Sequence, residues 1–161
     1  LGDAQQVPGR FNVFRSGEVT VIVDYAHNPS ALSALVDSLA AFPHRRRCLV
    51  FAPPSDRRAA DVLAMGRTIG DNFERVILYR NEPEASATDL LRRGIAAGQR
   101  HPEISAMHGE LEAIESALAD LRPGDLLVIG VDSIAEALAF VQARLEARTV
   151  SSPAVSAQRS Q

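Results

Sequence analysis

The run Leu126-Leu-Val-Ile129 is apolar at every position, follows the turn signal Pro123-Gly124-Asp125, and precedes a segment of helical spacing. A strand apolar on both faces needs cover on both faces, which confines it to the middle of a sheet held between helices. Other segments repeat the setting. Val19 to Val23, Cys48 to Ala52 and Val76 to Tyr79 are β-branched or apolar runs, each followed by a polar loop and then a helical pattern. Those patterns are Ser30 to Phe42 (Leu32, Leu35, Val36, Leu39), Arg58 or Ala59 to about Asn72 (Val62, Leu63, Met65, Ile69), and Ala87 to Ala97 (Leu90, Leu91, Ile95). Glu103 to Ala106 reads as a further short strand, Leu111 to Leu121 and Ile134 to Arg148 as the last two helices. Strands alternating with helices through short connections imply right-handed crossovers and parallel pairing. Phe11 to Phe14 is the exception, since Ser16-Gly17 turns it straight back into Val19 to Val23 as a hairpin. The expected fold is therefore α/β: a Rossmann-like three-layer αβα sandwich whose mostly parallel sheet has about six strands, with an antiparallel N-terminal hairpin strand.

The chain has 161 residues, 46% of them hydrophobic, which suits one compact domain. Leu1 to Arg10 is polar, contains Pro8-Gly9 and reads as a linker. Residues 11–148 form the domain, and 149–161, made largely of Ser, Ala, Gln and Pro without periodicity, read as a disordered tail. The opening at Leu1, without an initiator methionine and in linker-like sequence, leads us to expect a piece of a longer protein.

Charge and residue usage narrow the chemistry. A net charge of −3 argues against a domain whose main work is holding nucleic acid, which needs a basic face, and the run His44-Arg-Arg-Arg47 reads as a solvated loop. All 17 basic Lys and Arg residues are arginine, so a phosphate loop of the Gly-x-x-x-x-Gly-Lys-Ser/Thr type and Schiff-base chemistry have no lysine to use. Cys48 leads an apolar run as the one cysteine and reads as a small buried residue; no metal-ligand spacing occurs. No apolar stretch reaches membrane-spanning length, and the cytoplasm is the expected location.

In an open parallel sheet, ligands bind beyond the carboxyl ends of the strands. The loops there are Asp24 to Asn28, Ser55 to Arg58, Arg80 to Glu84, and Asp132-Ser133. The first brings a carboxylate, an imidazole and an amide to a helix N-terminus, an end that attracts anions. Asp24 suits ribose hydroxyls, and His27 with the helix amides suits a phosphate. Equally, Asp24 and Asn28 can simply cap the helix, leaving His27 an ordinary loop residue. A dinucleotide enzyme is disfavoured, because no Gly-x-Gly-x-x-Gly follows the first parallel strand.

Pro8-Gly9-Arg10-Phe11 followed by Asp24-Tyr-Ala-His-Asn-Pro29 resembles the start of the C-terminal domain of the Mur ligase superfamily, where a Pro-Gly-Arg linker precedes Asp-Tyr-Ala-His-x-Pro. Folylpolyglutamate synthetases carry a similar Asp-x-Ala-His-Asn-Pro. Ser55-Asp-Arg-Arg58, Asn72-Phe-Glu-Arg-Val-Ile77, Gly109-Glu-Leu-Glu-Ala-Ile114 and Arg122-Pro-Gly-Asp-Leu-Leu127 together look most like the Mur-like C-terminal part of cyanophycin synthetases. The Lys-Gly-His-Glu and Asp-Asn-Pro-Arg of muramyl-tripeptide ligases have no counterpart in Gly130-Val-Asp-Ser133 and Arg80-Asn-Glu-Pro83.

The resemblance implies a domain that caps the nucleotide and substrates of an ATP-dependent amide ligase, which joins an amino acid, arginine favoured, to a carboxylate through an acyl phosphate. ATP and Mg2+ would be held mainly by an upstream central ATPase domain of the same polypeptide, so no catalytic residue is expected here and the chain alone should be inactive. Arg10 on the hinge would contact the nucleotide, Asp24 its ribose, His27 the ribose or phosphate region, and Asn28 would shape the loop. Asp56, Arg57 and Arg58 would face the amino acid or the peptide or polymer acceptor, unless Asp56 caps the next helix and pairs with an arginine. Glu82, Glu84 and Asp132 would receive an arginine guanidinium, or are solvated loop acids. His101 and His108 are expected on the surface. A muramoyl-peptide or folylpolyglutamate-type ligase domain and a non-catalytic nucleotide-binding module stay open, as does a homo-oligomer.

Overall fold

The computed structural model describes residues 11–54, 56–79 and 85–159, with side chains at 85–86 and 149–159 outside that description. Six strands, β1 (Asn12–Ser16), β2 (Val19–Asp24), β3 (Arg46–Phe51), β4 (Arg75–Tyr79), β5 (Glu103–Met107) and β6 (Asp125–Gly130), form one sheet in the order β1-β2-β6-β3-β4-β5. β1 pairs antiparallel with β2 across Gly17, whose φ of 59° is the left-handed conformation a tight hairpin asks for; every other pair is parallel. This is the expected architecture, down to the hairpin.

The period of two along each strand divides the core. Ile22, Leu49, Phe51, Val76, Leu78, Leu126 and Val128 face α1 (Pro29–Ser38), α2 (Ala59–Asn72) and α3 (Ala85–Ala96). Val21, Val23, Cys48, Val50, Ile77, Tyr79, Leu127 and Ile129 face α4 (Glu110–Ala119) and α5 (Ile134–Arg159). Leu126 to Ile129 are fully buried, as their lack of a polar face requires. A one-turn 3-10 helix, Leu39–Ala41, continues α1 to the end of the segment expected to be helical.

Two segments depart from the sequence reading. The basic run is only partly a loop, because Arg46 and Arg47 open β3. Arg46 reaches Asp125, 3% exposed, through Nε at 3.1 Å and an NH2 contact of 2.6 Å, and this hydrogen bond holds its proton more tightly than usual. A buried acid beside β3 thus turns an apparently solvated arginine inward. The last helix extends to Arg159 instead of stopping at Arg148. Apolar periodicity marks where a helix packs and does not fix where it ends, so the unpatterned residues 149–159, Pro153 among them, gave no helical signal.

Candidate functional site

Sheet order decides where a ligand can enter. β2 leads into α1 on one face, and its neighbour β6 leads into α5 on the other, so the loops leaving these adjacent strands diverge and open a crevice. Asp24 ends β2 beside Gly130 at the end of β6, and Val131 N donates to Asp24 O at 3.1 Å. Phe51 fills the space where a Cβ on Gly130 would sit, 2.8 Å from the ring. The strand ends are therefore tightly seated beneath the crevice.

His27 crosses it. Its Nε2 lies 2.9 Å from Val131 O and 3.5 Å from Asp132 Oδ1. A carbonyl can only accept, so Nε2 carries the proton and Nδ1 is the acceptor of the neutral ring. Tyr25, 48% exposed, meets His27 edge-on with ring centroids 4.0 Å apart, presenting an aromatic surface at the mouth. Asp24 accepts from Tyr25 N through Oδ1 and is partly exposed.

Asn28 caps α1, accepting from Ala31 N at 2.8 Å in an extended backbone (φ −138°), with Pro29 in the first turn. Of the two roles open to this loop, capping therefore belongs to Asn28. The Asp24 carboxylate and the His27 imidazole precede the capped helix end.

The remaining sequence-predicted residues separate. Asp56 and Arg57 are exposed and 3.9 Å apart. Arg58, in the N-cap position of α2, makes no side-chain cap and instead pairs with Asp61 at 3.3 Å. Asp56 thus neighbours an arginine but does not cap α2, which starts without a side-chain acceptor. Such exposed pairs contribute little to stability. Asp132 sits in the crevice against His27, while Arg10, Glu82 and Glu84 lie outside the described residues. His101 and His108 are exposed. Among the described residues no group of three or more His, Cys, Asp or Glu is placed to hold a metal ion.

Two residues under the crevice escaped the sequence reading. Tyr79, at the end of β4 and fully buried, has its hydroxyl 2.9 Å from both Glu110 Oε2 and Gly130 O. Burial pushes the phenol far above its ordinary range, so it stays a donor. Glu110, 8% exposed, opens α4. The available signals were an aromatic at a strand's carboxyl end and a glutamate straight after Gly109 at a helix start.

Residues 9–130 match the family described as Mur ligase, glutamate ligase domain. The chain is 32% identical over 146 residues to a cyanophycin synthetase of Crocosphaera subtropica, covering 88% of this chain and 17% of that protein. In fold it resembles a UDP-N-acetylmuramoyl-L-alanyl-D-glutamate–2,6-diaminopimelate ligase (TM-score 0.68, 24% identity, 88% of this chain and 32% of that one). It likewise resembles the MurF ligase of Thermotoga maritima in complex with ADP (TM-score 0.65, 17% identity, 89% and 32%). The chain thus spans a small part of its relatives, and with the matched region covering the hairpin, the crevice strands and every parallel strand, it belongs to the Mur ligase, glutamate ligase domain family.

Proposed function

We propose that this chain is the C-terminal, nucleotide- and substrate-capping part of a longer ATP-dependent ligase of the cyanophycin synthetase type. The observation that carries the reading is the crevice between β2 and β6, where Asp24, His27 and Asp132 converge beside the N-terminus of α1. A carboxylate and a neutral imidazole with Nδ1 as acceptor suit vicinal hydroxyls, and the helix end suits the negative charge beyond them. Membership of the family and similarity to a cyanophycin synthetase support a nucleotide as the ligand and an acid–amino acid amide as the product.

ATP, when bound, supplies the phosphoryl group that activates the acceptor carboxylate. In this reading Asp24 accepts from ribose hydroxyls, and His27, held by Val131 O, accepts a further hydroxyl through Nδ1. Tyr25 shields that face from water. Arg10 would reach the nucleotide from the hinge, where a forked guanidinium pairs well with phosphate oxygens. Mg2+ and the phosphate loop belong to the upstream domain. Asp56, Arg57, Arg58 and Glu82 are assigned to the incoming amino acid and the acceptor, with arginine the favoured amino acid. Asp132 is reassigned to holding His27, because its carboxylate lies 3.5 Å from the ring.

The test is phosphate release from ATP by the parent ligase, offered an aspartate-based acceptor and each amino acid in turn. Stimulation by arginine, lost in folded Asp24→Ala and His27→Ala variants, is the expected result. Stimulation by glutamate or diaminopimelate alone would transfer the chain to another branch. Turnover that survives both substitutions would sink the nucleotide role.

A further inference from the structure

The Gly109-Glu-Leu-Glu stretch takes no part in the function so far, yet Glu110 is among the few buried charged residues of the described chain, 8% exposed. Its Oε2 gathers three donors: Asp132 N at 2.7 Å, Tyr79 OH at 2.9 Å and Ser133 N at 3.4 Å. Tyr79 is anchored in β4 and also touches Gly130 O at 2.9 Å, so carboxylate and phenol clasp residues 130–133 from beneath. That segment supplies both groups that orient His27, the carbonyl of Val131 and the carboxylate of Asp132.

A buried carboxylate is costly unless its acceptor capacity is used, and here it belongs to the first turn of α4 and accepts from the two amides just ahead of α5. No donor from outside α4 other than Tyr79 and the loop amides is needed to account for its burial. Asp132 and Ser133 are exposed, so their backbone amides rather than side-chain packing tie them to the fold. Removing Glu110 would take the shared acceptor from the Asp132 and Ser133 amides, and the Asp132 N–H lies in the same rigid peptide plane as the Val131 carbonyl that meets His27.

We propose that Glu110 is the positioning residue of the crevice: through the backbone of Asp132 and Ser133 it sets the Val131 carbonyl and the Asp132 carboxylate, and these fix the tautomer and orientation of His27. In its consequence for ATP the inference rests on the nucleotide reading given above. In its structural content it does not. Tyr79 has a supporting part, since Glu110 keeps its two amide donors when the phenol is removed.

The experiment uses nuclear magnetic resonance on this chain and steady-state kinetics on the parent ligase. In the wild-type chain the Asp132 and Ser133 amides should exchange slowly and the His27 Nε2–H proton should be observable. Glu110→Ala should speed exchange of both amides by about a hundredfold and abolish the His27 signal, with the amide spectrum elsewhere unchanged. Glu110→Gln, which keeps an oxygen acceptor in place, should restore most of the protection. In the parent, Glu110→Ala should raise KM for ATP more than it lowers kcat, and should add nothing in a His27→Ala background.

Unprotected Asp132 and Ser133 amides in the wild-type chain would overturn the proposal even if the alanine variant does not fold. So would a folded Glu110→Ala chain with unchanged exchange and an intact His27 signal, or kinetic effects that simply add to those of His27→Ala. If the exchange and imidazole results come out as expected while His27→Ala leaves KM for ATP untouched, the positioning role stands and the nucleotide reading fails.

Discussion

Gly66→Ala sets helix propensity against packing, with opposite signs. Gly66 lies inside α2, where alanine should add about 1 kcal/mol of stability on propensity alone. A Cβ there would lie 2.5 Å from Leu91 O and 2.8 Å from Gly94 Cα, nearly an ångström inside ordinary contact. Both neighbours are backbone, so no side chain can swing away, and α2 and α3 must separate instead. Gly94 faces the same crossing from the other side, with a Cβ 2.4 Å from Leu63 O. Overpacking of this kind costs about 1 to 3 kcal/mol, and two rigid backbones put it at the upper end. The net expectation is a loss of about 2 kcal/mol, or about 1 M in the urea midpoint at a typical slope for a domain of this size. Gly109→Ser is the control, because a Cβ at Gly109 meets nothing within 4 Å and the residue is the N-cap of α4. It should stabilise by about 0.5 kcal/mol through a new cap. A rise in midpoint for Gly66→Ala would refute the close-crossing argument and leave propensity as the dominant effect.

Arg46→Met should cost about 3 kcal/mol, because the Asp125 carboxylate would stay buried and lose its charged partner, with the Arg122 amide at 2.9 Å still donating to it. Adding Asp125→Asn should recover part of that loss in urea titrations, and full additivity of the two losses would contradict the pairing. Cys48 is 5% exposed, and burial pushes its thiol from 9.0 up to about 11. The unfolded thiol ionises first, so stability is whole below pH 9 and falls by about 2 to 3 kcal/mol as pH rises from 9 to 11. Unfolding at pH 7 and 10.5 for wild type and Cys48→Ala checks this, with the variant expected to lose the cysteine-linked part of the drop.

Several elements were legible because local pattern and tertiary role coincide. The strand from Leu126 to Ile129 is apolar because both faces are covered, and Asn28-Pro29 marks a helix start by chemistry acting over one turn. The Asp24-to-Asn28 loop could be read as a candidate site for the same reason. What stayed hidden acts across the fold. His27 finds Val131 from 104 positions away, Tyr79 meets Glu110 from 31, and Arg46 meets Asp125 from 79. No periodicity encodes such pairings; they follow from β6 inserting between β2 and β3, which strand patterns alone do not specify. Asp132 therefore read as a loop acid, for an arginine ligand or for solvent, and Arg46 as part of a solvated run.

The most direct test of the crevice as a nucleotide-facing site is equilibrium binding of ATP to the parent ligase, wild type against Asp24→Ala and His27→Ala, with folding checked by circular dichroism. Two lost hydroxyl contacts should weaken binding by about tenfold each, at about 1.4 kcal/mol per factor of ten. Unchanged affinity in both folded variants would contradict the assignment and leave Asp24 and His27 as residues that only shape the loop ahead of α1.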